Sequence, residues 1–138
     1  MGVAGRLSRG VGWERLGVEW AVLFGSSAQG KGRDVDILVK AEHLNVDVLV
    51  DVILAAADAL GVDPSMVDVV EASRAPCPVV LDAWKRGVVL YERKPGAARE
   101  WLLYRVLLCW DYKVMREKLR VVETALEAAR RRWGMWGR

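Results

Sequence analysis

With 138 residues and 53% hydrophobic side chains, the chain can bury a real core as one domain, or as one domain with an appendage. A net charge of +3 and a pI near 9.1 are too mild to argue for nucleic acid as the main partner. No apolar run reaches about eighteen residues and no signal-peptide h-region is visible, which excludes a membrane-spanning helix and reads as cytoplasmic.

The chain opens with Gly2, Gly5, Gly10 and Gly12 in its first twelve residues. Glycine at that density weakens a helix, so a frayed start is predicted, then a short helix around Trp13 to Leu16, ended by Gly17. Val18 to Phe24 is apolar and β-favouring and reads as a buried strand. A small, glycine-rich turn follows, Gly25-Ser26-Ser27-Ala28-Gln29-Gly30, then Lys31-Gly32-Arg33 and a second strand from Asp34 to Val39.

This turn and the two carboxylates after it carry the chemistry. Gly25 lets the backbone turn sharply close to a ligand. Ser26 offers a hydroxyl, and the amides that follow it are free donors if a short helix starts there, which suits a phosphate. Asp34 and Asp36 stand two apart on a strand, so both point to one face. Paired carboxylates suit a hard cation, which takes oxygen ligands. A glycine-rich turn with Asp at a strand edge also occurs in ordinary hairpins; order and spacing together favour metal-assisted phosphoryl or nucleotidyl transfer.

Asn45 can cap a helix running to about Leu60, with Val46, Leu49, Val50, Ile53, Leu54 and Ala57 as its apolar stripe and Gly61 as its stop. Met66 to Glu71 is a third strand. Asp68 lies within its valines and needs a cationic partner, an exposed face or a metal. Glu71, on the opposite face, is the alternative carboxylate. Ala75-Pro76-Cys77-Pro78 breaks regular pairing. A short helix from Val79 to Arg86 and a fourth strand from Val88 to Tyr91 follow.

From Ala97 to Trp133 there is neither Pro nor Gly. Trp101, Leu108, Met115, Leu119, Val122, Leu126, Ala129 and Trp133 form one helical stripe. Unbroken, this helix would span roughly 54 Å, so it either breaks near Asp111 to Lys113 or offers the stripe to another chain. From residue 99 onward there are ten Lys or Arg against five Asp or Glu. Arg130, Arg131 and Arg132 with Trp133 and Trp136 could touch RNA by charge and stacking, or simply form a solvated helix end. His43 reads as a surface residue in a turn. Cys77 and Cys109 match no metal spacing and read as free buried thiols. The single Asn and single Gln fit a thermophile, where an intracellular disulfide between the two cysteines stays open.

Gly25-Ser26-Ser27-Ala28-Gln29-Gly30, followed by Asp34-Val35-Asp36-Ile37-Leu38-Val39, resembles the signature of the DNA polymerase β-like nucleotidyltransferase superfamily. It looks most like the minimal nucleotidyltransferases (MNT) paired with HEPN-domain toxins. The family pattern is G-S-x-A-x-G, a loop, then S-D-x-D. Here the loop is shorter, Arg33 stands where the family usually has Ser, and Gln29 where it often has Arg. The resemblance covers residues 13 to 92 well and the tail weakly.

It implies an α/β (α+β) polymerase β-like nucleotidyltransferase fold: a small mixed sheet with packed helices and a helical C-terminal segment. The divided chain would be a nucleotidyltransferase domain over 1–95 and a segment over 96–138. Asp34, Asp36 and Asp68 would be catalytic carboxylates holding Mg²⁺, with two ions about 4 Å apart. Gly25 and Ser26 would hold the phosphates of ATP, with Lys31 and Arg33 as charge stabilisers. AMP would pass to a hydroxyl of a HEPN-domain partner, the chain acting as antitoxin, with homo-oligomerisation through the C-terminal helix also open. The rival is a non-catalytic antitoxin that neutralises its partner by occlusion.

Overall fold

The computed structural model describes residues 2–30 and 34–133. Its elements are α1 (Val3–Gly10), β1 (Val18–Phe24), β2 (Val35–Ala41), α2 (Val46–Leu60), β3 (Val67–Glu71), α3 (Cys77–Arg86), β4 (Val88–Glu92) and α4 (Ala97–Trp133). Short 3₁₀ turns occupy Ser26–Gln29, Pro64–Met66 and Ala72–Arg74. The chain forms two compact units, Met1–Val106 and Leu107–Arg138.

The first unit is built on a mixed sheet in the order β3-β2-β1-β4. β1 pairs antiparallel with β2 and with β4, and β2 pairs parallel with β3. Alternation sorts the strand side chains onto two faces. Val18, Ala21, Leu23, Val35, Ile37, Val39 and Leu90 face a core closed by α1 and α2. Trp20, Val22, Phe24 and Leu38 face the other way, onto α3 and the first turns of α4. On that second face the Trp20 and Trp101 rings lie 5.3 Å apart at 55°. Arg105 stacks its guanidinium over Trp101, 5.0 Å from the ring centroid.

The glycine-rich start is not frayed. Val3–Gly10 is a helix, and Trp13 to Gly17 is a turn rather than the predicted helix. Tertiary packing overrides propensity here. Leu7 is fully buried, and its carbonyl accepts a 3.0 Å hydrogen bond from the Trp13 indole. Gly10 abuts α2 so closely that a Cβ there would stand 2.8 Å from the Ala59 Cβ. Leu7→Ala should therefore cost about 2–5 kcal/mol of stability, read from denaturant unfolding.

The α2 termini follow their sequence signals. The Asn45 side chain accepts from the Val48 amide at 3.0 Å, and Gly61 closes the helix in a left-handed conformation. The buried face matches the predicted stripe only in part, at Ala57 and half-buried Ile53. Val52, Ala56 and Ala57 are buried, whereas Val46, Val50 and Leu54 are exposed. Apart from Asp47, Asp51 and Asp58 this helix is apolar all round, so periodicity could not single out one face. Small alanines on the inner side allow α1 to approach.

α3 begins at Cys77, two residues earlier than predicted, because proline is tolerated in the first helical turn. Cys77 and Cys109 are disulfide-bonded rather than free thiols; linear spacing alone gave no sign of it. α4 is unbroken from Ala97 to Trp133, with no interruption at residues 111–113. Glu92 at the end of β4 accepts from the Ala98 amide at 2.9 Å and so caps its start. Within the second unit, Leu108, Met115, Leu119, Val122 and Leu126 are exposed along this helix. His43 lies exposed in a turn, as predicted. No helix among the described residues is long and apolar enough to cross a membrane.

Candidate functional site

β1 delivers the chain to the site at Phe24. Gly25 then adopts φ +76°, ψ −164°, a conformation open essentially to glycine alone. The chain turns through Ser26–Gln29 and leaves through a left-handed Gly30. The Gly25 amide is already engaged: it donates to Asp82 Oδ2 at 2.9 Å. Gly25 therefore contributes shape rather than a free donor. Ser26 is exposed at the start of the turn. Ser27 is buried, and its Oγ makes no hydrogen bond among the described residues. Lys31 and Arg33 lie outside the described residues, as does Trp136.

Asp34 stands exposed just before β2, and Asp36 is half-buried on its second residue. Asp36 is opposite Phe24 of β1 on one side and Asp68 of β3 on the other. The β2–β3 register thus places Asp36 and Asp68 side by side on adjacent strands. Gly25 closes over Asp36 from above: a Cβ on residue 25 would stand 2.6 Å from Asp36 Oδ2.

The electrostatics report the same gathering. Burial pushes the Asp36 carboxyl above its ordinary value, and the charges of Asp68, Asp34 and Asp82 push it further in the same direction. Asp68 is exposed and forms no ion pair with a described residue, so the salt-bridge explanation for it finds no support there. Glu71 is occupied locally instead. It accepts from Ser73 Oγ at 2.6 Å and pairs with Arg74 at 3.3 Å.

Among the described residues, no three His, Cys, Asp or Glu side chains converge tightly enough to hold a metal ion as they stand. The donor chemistry still fits a hard divalent cation. The donors are all oxygens, and the anionic neighbours of Asp36 each disfavour its ionised form, which a cation would relieve.

Asp82 was not visible from the sequence. It lies on α3, where Arg86 one turn later donates to its Oδ1 from Nε at 2.8 Å and also from the terminal guanidinium nitrogen. The Asp-x-x-x-Arg spacing in α3 signals this pair. Nothing in the linear order signals that the other oxygen reaches Gly25.

No protein-family model matches the sequence, and no curated protein matches it. Solved structures do. The chain is similar to a structure of the toxin–antitoxin pair MntA–HpeT carrying two Asp→Glu substitutions two positions apart, with TM-score 0.58 and 18% identity over 90% of this chain and 95% of that one. It is equally similar to a toxin–antitoxin structure with AMP-PNP, at TM-score 0.58 and 20% identity over 90% and 95% of the two chains. It is also similar to a structure of tri-AMPylated Shewanella oneidensis HEPN toxin in complex with MNT antitoxin, at TM-score 0.54 and 20% identity over 80% and 84%. The likeness is to the MNT antitoxin, and at this level of identity it shows that the chain shares the fold of those proteins.

Proposed function

We propose that the chain is a metal-dependent nucleotidyltransferase of the MNT type, which transfers AMP from ATP to a hydroxyl of a HEPN-type partner and so acts as its antitoxin. The observation that supports this most is the pairing of Asp36 with Asp68 across β2 and β3, directly beneath the Gly25 turn. The AMP-PNP and tri-AMPylated toxin found with similar folds support the nucleotide and the acceptor class.

In this reading Gly25 and Ser26 shape the phosphate-facing turn, and Lys31 and Arg33 meet the departing pyrophosphate. Asp34, Asp36 and Asp68 would hold Mg²⁺, which when bound would supply positive charge against the triphosphate. Asp68 would take the proton from the attacking hydroxyl onto a carboxylate oxygen. The acceptor oxygen bonds to the α-phosphorus, the bond from that phosphorus to the bridging oxygen breaks, and pyrophosphate leaves. The exposed apolar side chains of α4 in the second unit would serve the partner, since a row of this kind on one helix fits a docking seam.

A second reading is an antitoxin that works by occlusion alone. The loop before Asp34, shorter than in the family pattern, favours it, and the three aspartates Asp34, Asp36 and Asp68 oppose it. Calorimetric titration of Mg-ATP separates the two. Binding to the wild type that Asp36→Asn weakens at least about tenfold supports the transferase. Absence of binding in both proteins, with neutralisation of the partner retained by Asp36→Asn, supports occlusion.

A further inference from the structure

Asp82 has no role in the chemistry set out above, yet it accepts a side-chain hydrogen bond that ties the Gly25 turn to α3. Its side chain is largely buried, at 18% exposure, while that of Arg86 is at 60%. One carboxylate oxygen is held by Arg86 and the other accepts the Gly25 amide, 57 residues earlier. The remaining backbone bonds of the turn among the described residues are local: Ala28 to the Gly25 carbonyl at 3.2 Å and Gly30 to the Ser27 carbonyl at 3.1 Å. α3 itself is anchored in the sheet face through buried Val80 and Ala83. A carboxylate fixed on a packed helix thus holds a backbone conformation that only glycine readily adopts.

We propose that Asp82 is a positioning residue of the nucleotide site: it latches the Gly25–Ser26 turn to α3 and thereby holds that turn over Asp36. The proposal rests on the nucleotidyltransferase reading for what the turn is held ready to bind. Asp82 acts as a hydrogen-bond acceptor for a main-chain donor and is not itself a ligand of the reacting groups. Arg86 supports it by holding the carboxylate in the rotamer that reaches Gly25. The role differs from that of Asp34, Asp36 and Asp68, whose charge is what the chemistry uses.

Two measurements on the same proteins test this. The first is amide hydrogen exchange of Gly25 by NMR without nucleotide. Asp82→Ala should speed that exchange at least about tenfold while Val22 of β1 keeps its protection. The second is the Kd for Mg-ATP, which Asp82→Ala should raise at least about tenfold, the scale for a group that supports a binding group. Asp82→Asn, whose amide oxygen can accept the same bond, should recover most of both losses. Asp82→Ser, polar but too short to reach, stands in if the alanine variant does not fold.

Unchanged Gly25 exchange in Asp82→Ala would overturn the latch. Equal loss of affinity in the alanine and asparagine variants would overturn it too, because charge rather than the bond would then be what matters. If the wild type binds no Mg-ATP, the nucleotidyltransferase reading fails and the positioning role fails with it. The Gly25 exchange data would still show separately whether the latch exists.

Discussion

Replacing Asp68 by alanine is expected to lower nucleotidyl transfer at least about 100-fold, the upper end for a group that merely supports a metal ligand. The same variant should keep the wild-type Tm, or exceed it, when unfolding is followed without divalent cations. The two halves share one cause. Asp68 is exposed, pairs with no cation among the described residues, and sits beside Asp36 across the parallel strands. Removing it deletes no ion pair with a described residue and relieves a like-charge repulsion. The pH dependence follows in sign. Burial first, and then the charges of Asp68, Asp34 and Asp82, raise the Asp36 carboxyl above 3.8, its ordinary value. The folded chain therefore keeps the Asp36 proton to higher pH than the unfolded chain does. Stability falls as pH rises from the ordinary carboxylate range through the raised folded value, and the penalty is complete above it. Asp68→Ala should shrink that fall, which thermal unfolding across the acidic range would record. A marked loss of Tm at neutral pH would instead assign Asp68 to a structural ion pair.

The features that sequence made legible are those set by neighbours in the chain. β1 occupies Val18–Phe24, as its apolar run predicts, and α2 starts at an Asn45 cap and stops at Gly61, because caps and stops are local chemistry. The Asp34–Asp36 pair and Asp68 could be singled out because a carboxylate at the edge of, or inside, an apolar strand is conspicuous. Features decided by distant partners were not legible. α1 forms despite its glycines because Leu7 and Gly10 fit against elements later in the chain. The buried face of α2 is chosen by what packs on it, since its own apolar residues surround it. Asp82 looks like half of an ordinary i, i+4 pair on a helix, and only the folding of α3 against β1 brings it to Gly25. The disulfide state of Cys77 and Cys109 likewise depends on tertiary placement that spacing does not encode.

Gly25→Ala should do more harm to activity than to stability. The residue sits at φ +76°, where a side chain is strained whatever room surrounds it, so the fold should lose about 1–3 kcal/mol. The added Cβ would also stand 2.6 Å from Asp36 Oδ2, with Asp36 Cγ at 3.5 Å. The nearest atom is the tip of a side chain, so Asp36 can rotate away at modest cost to folding. That rotation removes the carboxylate from its place opposite Asp68, and a displacement on the order of 1 Å in such a site can cost about 100-fold in rate. A double-mutant cycle separates the two contributions. In an Asp36→Ala background the clash is gone and the backbone strain remains, so Gly25→Ala should destabilise that protein less than it destabilises the wild type. An equal loss in both backgrounds would mean that backbone strain alone sets the requirement for glycine, and that Asp36 is free to occupy its position whatever residue stands at 25.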